Sequence, residues 1–597
     1  MASIGAFTFV LHSHMPYARL AGRWPHGEEW IHEAATETYI PLLQTLYDLK
    51  GDGVDFKLTI GITPVLGEQL NDPLVLEHFE DYLNMRITAA ERDMWYFDEP
   101  KNIAVAQEKT ADVETLPGAE KFPDFQSLDS TQSDEHLLLL ARWYKNWYSS
   151  VKDAFINRFN RDIIGAFRTL QDEGYIEIIT SAATHGYLPL LGHDSAIVGQ
   201  LKTAVRTHER LFGRKPTGIW LPECAYRPAY FDDNGMTRPG IEHFLKQLDL
   251  KIFFSETHAI TGGQPVGIAA GDVIGPYGDI KRRYVIPSSQ NLNAPRRDVN
   301  TFHAYWVSDS SSPENNGDNS GVAVMGRNNR TGQQVWSADW GYPGDFDYRE
   351  FHRKAGTSGL QYWRVTGEKV DLPEKDYYHP DWANYKVDQH AEHFAHLVGD
   401  LLRDYHNETG NYGMISSNYD TELFGHWWFE GVTWLGKVLR HLANNPEIEL
   451  TTATKYLEDY PPQMTLHIPE GSWGAGGTHF TWDNGETHWM WQPIHESEAR
   501  MQTLAQTFTE PGDDERAVLN QAARELLLLS SSDWSFLVTT GQAREYAIQR
   551  FTQHLERFNQ LADGLENGSP DRTLADTLFE IDKVFEGIDY EDFAPVS

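Results

Sequence analysis

Glu223 ends the run Gly218-Ile219-Trp220-Leu221-Pro222 and is followed by Cys224-Ala225-Tyr226-Arg227-Pro228. A second acid, Asp420, has the same setting. Gly413-Met414-Ile415-Ser416-Ser417 runs into Asn418-Tyr419-Asp420-Thr421-Glu422-Leu423-Phe424-Gly425-His426-Trp427-Trp428. Each carboxylate lies at the end of a strand-like run and is walled by aromatics. This pattern points to glycoside chemistry, in which two acids flank one sugar bond. An isolated acid is commonly a helix N-cap or a loop ion pair, so the surroundings carry the reading rather than the acids.

Histidines follow the same rule of position. His12-Ser13-His14-Met15-Pro16-Tyr17 comes directly after the run Ala6–Leu11. In extended chain, residues i and i+2 share a face, so both imidazoles point the same way. They can serve as donors to sugar hydroxyls or to the nucleophile, as a chelating pair, or as a satisfied pair under a loop. Met15-Pro16-Tyr17 supplies no acidic ligand, which disfavours a metal. His185, in Ser181-Ala182-Ala183-Thr184-His185-Gly186-Tyr187, repeats the theme of a strand followed by His. It is a loop-packing residue unless a barrel brings these strand ends together.

Two loops add aromatic groups. Trp336-Ser337-Ala338-Asp339-Trp340-Gly341-Tyr342-Pro343-Gly344 reads equally as a cleft loop and as a loop held down by its own rings. Gly471-Ser472-Trp473-Gly474-Ala475-Gly476-Gly477-Thr478-His479-Phe480-Thr481-Trp482-Asp483-Asn484 sets Trp473 and Trp482 around glycines. It lacks the Gly-Lys-Ser/Thr ending of a phosphate loop, so sugar stacking is the better account. The alternative is that the tryptophans pin the loop to a core. No cofactor and no metal are called for.

The elements that must position these groups alternate in type. Strand-like runs are Ala6–Leu11, Phe56–Ile62, Tyr175–Thr180, Thr217–Leu221, Lys251–Ser255 and Gly413–Ser417, with helical patterns such as Ile241–Leu250 and His390–Tyr405 between them. Alternation implies parallel strands with crossover helices, and polar groups just past the strand ends fit a barrel. Residues 86–160 interrupt the pattern. Lys101–Thr131 reads as loop, and Leu140, Trp143, Tyr144, Trp147, Val151 and Phe155 then recur at helical spacing after a cap at Ser133-Asp134-Glu135. Ser308–Ser320 reads as a surface loop. Arg516–Leu529, Thr540–Leu561 and Leu574–Phe585 read as helices. The expected division is a barrel over 1–85 and 161–469, a helical insertion over 86–160, and a helical C-terminal domain over 470–597 that lends aromatics to the cleft.

Bulk properties narrow the partners. With 597 residues the chain is long enough for a large barrel plus additions. The 50 basic and 87 acidic residues give a net charge of −37, which repels phosphate backbones and anionic membranes. Neither nucleic acid nor membrane is an expected partner, whereas a neutral polymer fits. The single cysteine, Cys224, permits no internal disulfide. Its place beside Glu223 raises the reading of a nucleophilic thiol against that of a small residue packed behind the site. The N-terminus lacks a basic leader region, and no apolar run approaches the ~20 residues needed to span a bilayer. A cytoplasmic protein is expected.

Taken together, Trp220-Leu221-Pro222-Glu223, the Tyr419–Trp428 segment and Gly471-Ser472-Trp473-Gly474 resemble glycoside hydrolase family 57, and within it the 1,4-α-glucan branching members. The resemblance runs from His12 through Asn484 and more weakly to Ser532-Asp533-Trp534. It implies a (β/α)7 barrel, a distorted relative of the eight-stranded form, with a helical insertion and a helical C-terminal domain. It implies that Glu223 is the nucleophile and Asp420 the general acid/base, and it places His12, His14, His185 and Asp339 around the catalytic subsite. It gives Trp24, Trp30, Trp336, Trp473 and Trp482 to the glucan cleft and makes Tyr277, in Gly275-Pro276-Tyr277-Gly278, the tip of a mobile loop. Arg227, His426 and Trp427 join the substrate-binding set. The implied substrate is an α-1,4-glucan, handled by a monomer or small homo-oligomer.

In the expected retaining mechanism, apolar walls such as Trp427 or Trp428 raise the pKa of Asp420. Arg227 or a histidine keeps that of Glu223 low. The competing readings are a related α-glucan hydrolase or 4-α-glucanotransferase, a non-catalytic glucan-binding protein, and a metal-dependent glycosidase using His12 and His14.

Overall fold

The computed structural model describes residues 3–98, 131–232, 234–265, 274–275, 278–279, 294–312, 318–336, 341–367 and 369–596. Tyr277, Asp339 and residues 101–130 of the segment read as loop lie outside the described residues.

Every residue of the strand Gly5–Ser13 is buried, as expected for a parallel strand covered on both faces. Its two faces differ. Phe7, Phe9 and Leu11 join the core beneath the outer helices, where Phe394 of the helix Pro380–Thr409 stacks on Phe9 at 6.0 Å. Ala6 and Val10 face inward, into a cluster with Ile179, Trp220, Ile252, Phe254, Ala323, Met325 and Met414. The period of two therefore continues this inward face to His12 at the strand's C-terminal end.

Seven strands enclose that inner cluster. Gly413–Asp420, Gly5–Ser13, Leu58–Ile62 and Ile176–Ile179 are parallel neighbours in that order. Gly218–Ile219, Ile252–Ser255 and Asn319–Gly326 follow, also parallel. A parallel bridge between Thr180 and Ile219 joins the two sets on one side. On the other side Asn328 N donates to Ser416 O at 3.0 Å. The ring is the expected (β/α)7 barrel.

Six of the seven strands are legible as apolar runs in the sequence. The seventh, Asn319–Gly326, begins inside Ser308–Ser320, the stretch read as surface loop. It pairs antiparallel with Ala304–Ser308, so the two ends of the stretch expected as loop, Ser308 and Asn319-Ser320, are strand. Its N-terminal residues are partly exposed and polar, and only its second half, Val322–Gly326, is continuously buried.

The helix Pro73–Asp98 runs through position 86 and packs against Thr131–Asp153, whose inner face carries Leu137, Leu140, Tyr144, Tyr148 and Val151. The C-terminal helices are His488–Thr507, Asp513–Leu529, Ser532–Thr540, Arg544–Glu566 and Arg572–Ile581. The run Thr540–Leu561, read as one helix, breaks at Gly541, which caps Ser532–Thr540 at φ 77°. Trp534, Phe551, Phe558 and the leucines of Asp513–Leu529 share one core with the outer helices of the barrel. No described helix is long and apolar enough to cross a membrane.

Candidate active site

Asp420 and His12 are register partners on adjacent parallel strands. Both lie on the inward face at the C-terminal rim, where barrel enzymes carry their chemistry. His12 stacks on Trp220 at 4.9 Å with the planes 7° apart. Its Nε2 is 3.0 Å from Nε2 of His185. His14 stacks on His185 at 4.0 Å. The three histidines therefore form one layered group.

Glu223 and His185 share an unusual backbone. Both have positive φ, 60° and 57°, a conformation that costs a non-glycine residue about 1–3 kcal/mol. Each is held there by the C-terminal part of the chain. Trp473 N donates to Glu223 O at 3.0 Å, and Ser532 N donates to His185 O at 3.3 Å. Side chains repeat the contacts. Trp473 Nε1 donates to Glu223 Oε2 at 2.6 Å, and Ser532 Oγ is 2.8 Å from His185 Nδ1. Tyr226 and Gly471 exchange backbone hydrogen bonds and fix the glycine-rich loop against the barrel rim.

Burial raises the proton affinity of Glu223 to about 7, against the opposing pull of the Trp473 donor and the His14 charge. This corrects the expectation of a nucleophile held low. Arg227, the expected donor, lies over the Tyr230 ring at 4.7 Å, and its charge acts on Glu242. Asp420 is raised well above the usual carboxylate range, first by burial, then by Glu422 and Glu223. The expected aromatic walls lie elsewhere. Trp428 is 2% exposed and packs on Trp434 at 5.2 Å, while Trp427 stacks on Phe351 at 4.8 Å. Among the described residues no side chain donates to Asp420. Each acid has a nearby cation, His14 for Glu223 and Arg327 for Asp420, and the difference between them is the Trp473 donor on Glu223 and the two carboxylates beside Asp420.

Glu422, Tyr39, Ser532 and Asp533 belong to this site and were given no role from sequence. Glu422 is raised by burial to about 7. Its Oε1 accepts from Tyr39 Oη and, at 3.1 Å, from His14 N. Asp533 Oδ1 is 3.0 Å from His14 Nε2. The spacing Asp420-x-Glu422 was visible as a pair of acids at one strand end. Tyr39 had no signal, because it is delivered by a π-helical turn, Ala35–Tyr39, whose register a 3.6-residue period does not describe.

The same turn explains His426. Its Nδ1 is 2.7 Å from Oε2 of Glu37, whose Oε1 accepts from Arg349 at 3.0 Å. His426 therefore braces the scaffold rather than meeting the carboxylate pair. Gly425 passes so close to Glu37 that a Cβ would lie 1.9 Å from its carbonyl oxygen, at φ 101°.

The remaining aromatics divide. Trp482 is 1% exposed and stacks on Tyr187 at 4.4 Å, with Gly474 beneath its ring. It pins the loop to the core and presents no open face for stacking. Trp30 packs edge-on to Tyr546 of the C-terminal helices at 5.3 Å. Trp24 is 45% exposed. Trp336 ends the helix Asn329–Trp336, half-buried against the barrel core. Cys224 is buried, and burial followed by the Glu256 charge drives its thiol pKa well up, which removes it as a thiolate nucleophile.

Residues 8–469 match the model of glycosyl hydrolase family 57. Residues 493–593 match a model described as 1,4-alpha-glucan branching enzyme, C-terminal. A 1,4-alpha-glucan branching enzyme of Thermococcus kodakarensis is 42% identical over 98% of this chain and 78% of that protein. Its crystal structure, in complex with glucose, superposes with a TM-score of 0.81 over 100% of this chain and 97% of that one. A branching enzyme of the same family from Pyrococcus horikoshii is 39% identical with a TM-score of 0.80, covering 100% of this chain and 97% of its own. The alpha-amylase AmyC of Thermotoga maritima is 27% identical with a TM-score of 0.75, covering 99% of each chain. With a family model spanning most of the sequence and a seven-stranded barrel bearing the paired acids on its rim, the chain belongs to glycosyl hydrolase family 57.

Proposed function

We propose that the chain is a 1,4-α-glucan branching enzyme that works by retaining double displacement. Asp420, protonated, gives its proton to the oxygen of an α-1,4 bond. Glu223, ionised, attacks the anomeric carbon and displaces the leaving chain, forming a glycosyl-enzyme. Asp420, now a base, takes the proton of a glucan 6-hydroxyl, which attacks the same carbon and releases Glu223. Two inversions leave the α configuration and a new α-1,6 branch.

The observation that carries this reading is the unequal company of the two acids. Only Glu223 has a direct donor, Trp473 Nε1. Burial first, then Glu422 and Glu223, favour the protonated form of Asp420 against the opposing charge of Arg327. That asymmetry supports reading Glu223 as the nucleophile and Asp420 as the acid.

Transfer rather than hydrolysis is supported by the match of residues 493–593 to the branching-enzyme C-terminal model. That region also contributes Ser532 and Asp533 to the histidine group. An acceptor sugar has to outcompete water at ~55 M by being held in place. The likeness to an amylase of the same length supports hydrolysis as the second reading. A role in cytoplasmic glycogen or α-glucan synthesis follows from branching, as does an α-1,4-glucan polymer as substrate.

Amylose treated with the protein decides between them. Branching gives new α-1,6 signals by NMR, a shifted iodine spectrum and short chains on enzymatic debranching. Rising reducing ends without α-1,6 signals would refute branching and leave hydrolysis.

A further inference from the structure

Asp533 sits 519 residues from His14 in sequence, yet its Oδ1 lies 3.0 Å from His14 Nε2. The pair is nearly closed to solvent, with side-chain exposures of 12% and 11%. Asp533 is itself fixed, since its Oδ2 accepts from Ser531 Oγ at 2.7 Å. Ser531 is the N-cap of the helix Ser532–Thr540. The carboxylate is therefore presented by a capped helix start and not by a loose loop.

Every group around His14 favours one state. Nε2 faces Asp533, so that nitrogen carries a proton. The ring stacks on His185 at 4.0 Å and lies 6.1 Å from His12. Both neighbouring imidazoles are held neutral by burial. Glu422 and Glu223 add negative charge from the barrel side, and with Asp533 they outweigh the burial that opposes a charged His14. His14 Nδ1 is buried and has no hydrogen-bond partner among the described residues, so Asp533 is the one group that fixes the orientation of the ring through a side-chain hydrogen bond.

We propose that Asp533 is a positioning residue for the reaction, holding His14 as an imidazolium whose charge lies beside Glu223 and Glu422. The C-terminal helices then complete the catalytic centre instead of only extending the cleft. The carboxylate fixes the ring orientation and favours the doubly protonated form, and the cation stabilises the nucleophile's charge before attack. The kinetic consequence rests on the proposed branching reaction. The state of His14 does not.

The test uses the full-length protein with 15N-labelled histidine, His14 being assigned by its loss in His14→Gln. At pH 7 the unmutated protein shows His14 with both nitrogens protonated, and Asp533→Asn shows it neutral. In branching assays Asp533→Asn lowers kcat by about 10–100-fold with a smaller change in KM. The alkaline limb of its pH profile moves to lower pH, because a less basic His14 loses its proton sooner. Asp533→Glu, which keeps the charge, recovers part of the rate. An unchanged His14 spectrum in Asp533→Asn overturns the proposal. So does a rate loss equal at every pH and accompanied by a lowered Tm, which marks a merely structural contact. If the unmutated protein makes no branches, the branching reading fails while the spectrum still decides the state of His14.

Discussion

Trp473 holds Glu223 by two hydrogen bonds. Its main-chain N–H donates to the Glu223 carbonyl at 3.0 Å, and its indole Nε1 donates to the carboxylate at 2.6 Å. One bond steadies a left-handed backbone and the other favours the ionised side chain. A residue read from sequence as a sugar platform thus also controls the charge of Glu223. Its ring meets Trp220 edge-on at 5.2 Å.

Trp473→Phe keeps an aromatic face and removes the donor. A hydrogen bond to a charged group is worth about 1.5–3 kcal/mol, so the pKa of Glu223 rises by about one to two units. The nucleophile must be ionised, so the acidic limb of kcat/KM moves to higher pH. Activity at pH 6 falls further than at pH 8. A limb that stays in place refutes the charge-control role.

Glu223→Gln separates binding from chemistry. Turnover falls by about 10⁴-fold or more, while affinity electrophoresis in amylopectin gels still shows retardation. The same variant reports on stability. Glu223 has a folded pKa of about 7 against a reference of 4.5. Its contribution is fully present below pH 4.5 and is lost as pH rises through 7. The variant is therefore more stable than the unmutated protein at pH 8–9, by up to about 3 kcal/mol. That advantage fades by pH 5. Equal denaturation midpoints at pH 8 and pH 5 contradict the burial of this carboxyl.

Asp420→Asn removes the proposed acid and base. Activity on amylose falls by about 10²–10⁴-fold. An α-maltosyl fluoride, whose leaving group departs without a proton, loses much less in its first step. Added azide then attacks the glycosyl-enzyme and yields the α-glycosyl azide. Recovery of the β-azide indicates that Asp420 is not the acid/base of a retaining pair.

Arg349→Met tests the scaffold behind the site. The Arg349–Glu37 pair is almost fully buried, with side-chain exposures of 1% and 9%. Burial alone raises the pKa of Glu37, but Arg349 and His426 together bring it down to about 2. The pair stabilises the protein above pH 4.5 and that support is lost as pH falls toward 2. Leaving Glu37 unpaired costs about 3–5 kcal/mol at neutral pH, read by urea denaturation. The deficit shrinks near pH 3. A deficit independent of pH assigns the loss to packing.

Trp482→Ala and Trp473→Ala are expected to differ in kind. Removing the buried Trp482 costs about 3–5 kcal/mol of stability. Removing Trp473 reduces activity with a smaller shift in Tm. If Trp482→Ala leaves the Tm unchanged but weakens glucan binding, the ring faces the cleft after all.

Local patterns in the chain exposed a large part of the architecture. Ala6–Leu11 and Lys251–Ser255 read as strands because they are mostly apolar, as strands buried along their whole length, Gly5–Ser13 and Ile252–Ser255, require. Glu223 and Asp420 stood out because acids beside apolar runs are costly unless they serve a purpose. The seventh strand was missed because it opens on Asn319-Ser320-Gly321, two polar residues and a glycine, with Asn319 and Gly321 exposed. Trp482 was given to the cleft because composition cannot tell an indole that packs inward from one that faces solvent.

The amino-acid sequence by itself determined six of the seven barrel strands, the two principal acids and the histidines that follow strand ends, since each is written in a few consecutive residues. Only the tertiary structure decided their company. His12 meets Asp420 through strand register, Trp473 reaches Glu223 across 250 residues, and Asp533 reaches His14 across 519. Proton affinities depend on burial and on charges a few ångströms away, and those neighbours are chosen by the packing of the whole chain and not by nearness along it.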